Sequence, residues 1–243
     1  MDSCMMKFLI LSILLANFSV FSQCNLKIEY EVQLNVIKPS NNLNNSESEM
    51  HKYYLNLVEK SNKLLKGKYY VLKISNEESV FNAPDFMDYE KNKTLEIADQ
   101  LLGFPKNVYT DIEEDVCIEE IDLLSKKVYY DSENEFDWKI HPETKKLLGY
   151  NVRKATTNVE MKFTESKFKN IEVWFTSDIP CSFGPANYYG LPGLILEVKS
   201  KSYTLSSVQI NKNDSDIGIE PISEELVDKQ YLLNMSKKIK NNY

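Results

Sequence analysis

The stretch YYGLPGLILEV, Tyr188 to Val198, decides the fold. Its first half holds two of the chain's seven glycines and one of its eight prolines, and its second half is a continuous apolar run. Proline fixes φ, and glycine permits backbone angles that other residues resist, so Gly190, Pro192 and Gly193 prescribe a rigid turn. LILEV then enters a strand with Leu194 and Leu196 on one face and Ile195 on the other. A strand that does not alternate is covered on both faces. The turn therefore feeds a central strand. An apolar cover, the C-terminal helix or a ligand, is expected over the strand's second face.

Working outward, VWFTSDIPCSFGPAN (Val173–Asn187) places Trp174 in an alternating strand. Pro180, Gly184 and Pro185 then stiffen a long connection. LKIEYEVQLNVI (Leu26–Ile37) alternates strictly, as a half-buried antiparallel strand does. Lys68–Ser75, Glu119–Tyr130, Phe136–Ile140, Gly149–Val159 and Tyr203–Ile210 also read as strands, with a turn at Pro142 and Glu143. LILEV and YTLSSVQI are expected to pair as neighbours across KSKS. Pro39–Glu49 and Asn82–Lys93 read as loops, and Thr94–Ile112 reads either way. One helix is predicted over Met50–Leu65, stopped by Gly67. A second runs from the N-cap Ser223, with Glu224 and Glu225 in its first turn, to Lys240. Many short strands without βα alternation predict a mainly β, α+β chain, an antiparallel sheet with helices laid against it. Adjacent tyrosines (53–54, 69–70, 129–130, 188–189) place one ring in and one ring out wherever they lie in strands.

Lys7 followed by FLILSILLANFSVF (Phe8–Phe21) reads as a secretory signal peptide over residues 1–23, leaving a single β-rich domain over 24–243. No later segment has the length of a membrane span. The net charge of −7 disfavours nucleic acid as a partner. Of the four cysteines, Cys4 leaves with the signal, and Cys24, Cys117 and Cys181 remain in an oxidising compartment. Cys24 directly after the cleavage site suggests a lipid anchor, although Phe21-Ser22-Gln23 lacks the small apolar residues such sites need. A lipid on Cys24 would leave Cys117 to pair with Cys181. Without it one thiol is left over, and the spacing does not say which.

Little catalytic chemistry is written in the chain. His51 and His141 have no ligand-spaced companions, and both read as surface or packing residues. No G-x-S-x-G occurs, and Cys181 as a nucleophile would need a base that nothing places nearby. The acidic runs Asp111–Asp122 and Asp131–Asp137 lack calcium-loop spacing and read as solvated edges. No phosphate-cradling glycine loop is present, and the pattern calls for no cofactor, metal or catalytic residue.

The segment Gly190-Leu191-Pro192-Gly193-Leu194-Ile195, with VWFTSDIPCSFGP before it and DWKIHPETKKLLGYNVRKAT further upstream, resembles the GLPGLI family, exported proteins of unknown function from Bacteroidetes. IEYEV and ESVF (Glu78–Phe81) also fit. The resemblance covers most of the mature chain and is specific from about Asp137 to Val198. Val152 stands where family members often carry a cysteine, so no family disulfide carries over to it. The family brings no established catalytic residue. The strand order and the W…P…GLP region look like curved, half-barrel folds of the lipoprotein-carrier type. That likeness implies a curved antiparallel sheet of half-barrel form, with one or two helices packed on it, one of them C-terminal.

Three readings follow. The first is a non-catalytic binding or carrier protein of the cell envelope, holding an apolar ligand in the concave face. It fails if side chains fill that face. The second is a protein-interaction component assisting an outer-membrane system, with Ile179–Gly193 as its recognition surface. Burial of Phe183, Tyr188 and Tyr189 counts against it. The third, a hydrolase, has least support. The candidate binding residues are Trp174, Pro180, Gly184, Pro185, Tyr189, Gly190, Leu191, Pro192, Gly193 and Leu194, and a purely structural role for them is the competing expectation.

Overall fold

The structure is a computed structural model. It describes residues 24–37, 45–84, 92–103, 105, 107–123, 126–132, 136–160, 168–212, 217–220, 222–228, 231–232 and 234–235. The expected signal peptide, parts of both expected loops and the end of the expected C-terminal helix lie outside these residues.

Eleven strands form one open antiparallel sheet, in the order β6-β5-β4-β3-β2-β1-β11-β10-β9-β8-β7. The strands are β1 Asn25–Leu34, β2 Tyr69–Ser75, β3 Glu78–Asn82, β4 Asn107–Asp111, β5 Val116–Leu123 and β6 Lys126–Asp131, then β7 Lys139–Leu147, β8 Tyr150–Glu160, β9 Phe168–Thr176, β10 Leu194–Lys199 and β11 Tyr203–Lys212. The chain meanders outward from β1 to β6, crosses to β7, and meanders back until β11 pairs with β1.

This order forces curvature. Eleven flat strands would hold the outer pair about 48 Å apart. Residues 132–138, which join those two strands, reach at most about 28 Å. The sheet must therefore curl into a half-barrel. Register shifts at Glu29/Tyr30, Ile140/Thr144 and Ile195/Glu197 mark bulges where strands can bend.

The concave face is apolar because each strand presents alternate residues to it. In β1 these are Leu26, Ile28, Tyr30, Val32 and Leu34, all buried. Ile28 begins a row running through Leu72, Phe81, Val108, Glu119 and Tyr130 across the outward meander. Ile171, Val173 and Phe175 of β9 supply the return meander.

Two helices cover this face over β1. In α1 (Asn45–Leu65), Tyr54, Val58, Ser61 and Leu65 recur at helical spacing and turn inward. Asn62 clips the helix to the sheet, accepting from Leu34 N at 2.8 Å and donating to Leu34 O at 3.0 Å. In α2 (Lys93–Leu102), Leu95, Ala98 and Leu102 are buried. The Asn92 side chain caps α2's first turn, and Gly103, with φ 59, ends it. The Thr94–Ile112 stretch thus divides into a helix and a strand.

Three expectations are corrected. Pro142 and Glu143 lie within β7, at the bulge of an edge strand, where a missing N–H does no harm. The turn is Leu148-Gly149, with φ of 49 and 85, the signs a tight two-residue hairpin requires. Glu119–Tyr130 is a hairpin, β5 and β6, instead of one strand. The C-terminal helix does not begin at Ser223. Residues 222–228 run alongside β6, where Tyr129 and Leu226 bridge and Val227 N donates to Tyr129 O at 2.8 Å. The Asp228 carboxylate accepts from Tyr231 N at 2.5 Å, and Tyr231, Leu232, Asn234 and Met235 are helical. Pairing to an open edge satisfies backbone groups that a helix start would have left to solvent.

Candidate functional site

The connection from β9 to β10, residues 177–193, folds back over the sheet. Its carbonyls bond the start of β10: Leu194 N donates to Ile179 O at 3.0 Å and Ile195 N to Phe183 O at 2.9 Å. Gly184 lies so close to Ile195 that an added Cβ would sit 2.7 Å from Ile195 Cβ. The second face of the apolar strand is therefore covered by the chain's own turn, and neither a ligand nor the C-terminal helix is needed there. All of Leu194–Val198 is buried.

Inside the half-barrel the connection contributes Phe183, Ala186, Tyr188 and Leu191, all buried. The Tyr188 and Tyr203 hydroxyls are 3.1 Å apart. Burial pushes both phenols up, Tyr203 to about 12. Asn187 Nδ2 donates at 2.6 Å to Oε1 of Glu119, on β5 at the far side of the sheet, and Tyr130 OH donates to Oε2 of the same carboxylate. Burial, reinforced by the Glu119 charge, pushes the Tyr130 phenol up. At the rim, Phe136 packs on Trp138, Tyr188 and Tyr189, and Trp138 Nε1 donates to Tyr189 O at 2.8 Å.

On the same inner face, Lys169 holds its Nζ 4.4 Å over the Tyr203 ring. Burial lowers its pKa to about 8. A shallow open cleft of about 250 Å³ lies elsewhere, between Asn62 and Lys66 of the α1 end and Glu31, Gln33, Thr204 and Ser206. Its lining mixes these polar side chains with Val32 and with aliphatic carbons.

A disulfide joins Cys24, just before β1, to Cys181 in the connection. The open question of cysteine pairing is answered against the Cys117–Cys181 alternative. Cys117 is a buried thiol to which the Thr110 hydroxyl donates at 3.6 Å. A sulfur held in this bond cannot carry a thioether lipid, and Cys181 cannot act as a nucleophile. His51 stacks on Tyr54, and His141 bonds Thr156 at 2.8 Å. Among the described residues, no three His, Cys, Asp or Glu side chains gather where a metal ion could sit.

The candidate residues separate into two places. Gly184, Pro185, Tyr189, Gly190, Leu191, Pro192 and Gly193 share the connection, with Pro180 exposed at its start and Leu194 opening β10 directly after it. Trp174 lies on the opposite, convex face. There it donates to Glu172 at 2.9 Å, and Lys145 Nζ stands 4.3 Å over its ring. Lys145 and Lys199 both pair with Glu197, and Lys154 pairs with Glu172. Burial tends to raise the Glu172 pKa, but hydrogen bonds from Lys154 and Trp174 outweigh it and hold the carboxyl low.

Glu119 was hidden in the acidic run Asp111–Asp122, whose reading as a solvated edge is wrong for Glu119 and Glu120, at 2% and 5% exposure. The signal was present in the alternation of Cys117, Glu119 and Ile121. Asn187 and Lys169 carried no signal.

A family model described as "Protein of unknown function (Porph_ging)" matches residues 158–197, which span β9, the connection and most of β10. No curated protein sequence matches the chain. Two solved structures of PNGF-II are similar at 19% identity. The P21 form has a TM-score of 0.51 and covers 89% of this chain and 34% of that one; the C2 form has 0.46, with 86% and 29% covered. The chain thus spans about a third of PNGF-II, and the likeness is one of fold.

Proposed function

We propose that this is an exported protein of the cell envelope, of GLPGLI type, that binds an apolar ligand non-catalytically in its half-barrel. The observation that carries the reading is a curved, open sheet with an apolar concave face, covered over β1 by two helices and beside it by one connection. Buried side chains of the connection, among them Phe183, Tyr188 and Leu191, and of the two helices fill that face as it stands, so the reading requires a ligand to displace these covers, which can move without breaking the sheet, whereas a second packed sheet could not. The secretory pattern of residues 1–23 and the Cys24–Cys181 disulfide suit an oxidising compartment outside the cytoplasm. A lipid on Cys24 forms no part of the reading. Recognition of a partner protein through Ile179–Gly193 is less favoured, because Phe183 and Tyr188 are buried and Tyr189 is half-buried.

Native mass spectrometry tests the proposal on protein exported by its own signal and purified without detergent. Added mass of lipid size, lost on denaturation, is the expected result. A clean polypeptide mass would overturn it and direct attention to crosslinked partners.

A further inference from the structure

Helix α1 carries two apolar stripes, and the sheet uses only one. Tyr54, Val58, Ser61 and Leu65 face β1. Met50, Tyr53, Leu57 and Leu64 lie at i, i+3, i+7 and i+14, roughly a quarter turn away around the helix. Met50 is 69% exposed, Tyr53 64% and Leu64 36%, and Leu57 is half-buried. An apolar stripe left in water along a helix marks an interaction surface.

Charge indicates what covers it. The chain as a whole is acidic, at −7. Around the C-terminal end of this stripe the balance reverses: Lys60, Lys63, Lys66 and Lys68 are all exposed. Two acids lie nearby: Glu59, paired with Lys63 at 2.8 Å, and Glu31, which accepts from Gly67 N at 3.1 Å, so the four lysines still outnumber them. Glu49 lies at the opposite end of the helix, beside Met50. Apolar residues and a tyrosine bordered by lysines, on a helix lying at the surface, are the pattern of a segment that rests in the plane of an anionic bilayer. The rings and aliphatic chains enter the headgroup region while the ammonium groups meet lipid phosphates.

We infer that α1 docks this protein peripherally on an anionic lipid surface through Met50, Tyr53 and Leu64, with the lysines at its C-terminal end holding the headgroups. The inference does not depend on an apolar ligand inside the half-barrel. It concerns the neighbouring, outward stripe of the same helix.

Flotation with vesicles tests it, using the full mature chain with its disulfide intact. Vesicles of phosphatidylcholine alone are compared with phosphatidylcholine–phosphatidylglycerol mixtures. Binding to the mixtures only, weakened by added salt, is expected. Tyr53→Glu/Leu64→Glu places charge at two exposed positions, so the fold should persist by circular dichroism while binding falls at least about tenfold. Lys60→Gln and Lys66→Gln should each lower partitioning about fivefold. Absence of binding to anionic vesicles would overturn the inference, as would binding that all three variants retain. Wild-type dimerisation abolished by Tyr53→Glu/Leu64→Glu, seen by sedimentation velocity without vesicle binding, would replace the membrane with a second copy and overturn it too.

Discussion

Gly193 has a φ of 149, and a Cβ built on it would lie 2.1 Å from the Thr176 carbonyl oxygen. Gly190 has a φ of 88, but its added Cβ would meet only Trp138 Nε1, at 3.9 Å. The two glycines of the signature therefore do different work, one admitting close backbone approach and the other a left-handed turn. Gly193→Ala is expected to cost more than about 3 kcal/mol, and Gly190→Ala about 1–2 kcal/mol. Denaturant midpoints check the order, and equal losses would refute the distinction. Lys169 makes a second residue-level prediction. Its folded pKa, about 8, is depressed from 10.5. Below that value the ammonium is held where water is scarce. Between the two values the unfolded chain binds more protons than the folded one, so stability rises with pH. The gain is on the order of 2–3 kcal/mol, and it ends near pH 10, where tyrosines ionise preferentially in the unfolded chain. Lys169→Met should flatten the rise between about pH 8 and 10. Parallel curves for the two proteins would show that the amine is not desolvated.

Elements with a strict period were the legible ones. β1 alternates because one face meets the core; α1 was legible as a helix, but its sequence did not separate the inward Tyr54, Val58 and Leu65 from Leu57 and Leu64, which lie off that stripe. The tyrosine pairs in strands behaved as alternation requires: Tyr70 and Tyr130 are buried, and their neighbours Tyr69 and Tyr129 are not. The apolar run of β10 was correctly read as covered on both faces, but the cover was assigned elsewhere. Nothing in LILEV says that the chain doubles back on itself, since the bonds from Leu194 and Ile195 are to backbone carbonyls whose positions no side chain announces. The C-terminal stretch misled for a related reason. Ser223-Glu224-Glu225 is a good helix start in isolation, but the bridge from Leu226 and Val227 to Tyr129 of β6 is a long-range gain that local propensity cannot register. The candidate site was half legible. Glycines and prolines located the connection, whereas the Asn187–Glu119–Tyr130 cluster depends on a curvature that emerges only from strand order.

At the scale of the whole molecule, two meanders are held together by the β1–β11 pairing, residues 132–138 and one disulfide. Cys24 belongs to the first meander and Cys181 to the second, 157 positions further along the chain. Closing so long a loop restricts the unfolded chain strongly. Cys24→Ser/Cys181→Ser is therefore expected to lose about 2–5 kcal/mol, read from the chemical denaturation midpoint under oxidising conditions. An unchanged midpoint would mean that the bond only decorates a sheet already closed by β1 and β11. The pairing of β1 with β11 also sets a timetable. Synthesis proceeds from the N-terminus. β1 therefore arrives early, and one of its edges remains open until the chain has advanced to Lys212. Through that interval the first meander has an unpaired central strand, the kind of exposed ribbon that recruits the wrong neighbour. Contacts so distant in sequence form slowly. The strand that finally lies deepest in the sheet is thus the one left waiting longest, and synthesis rather than the finished fold is where this chain is most vulnerable.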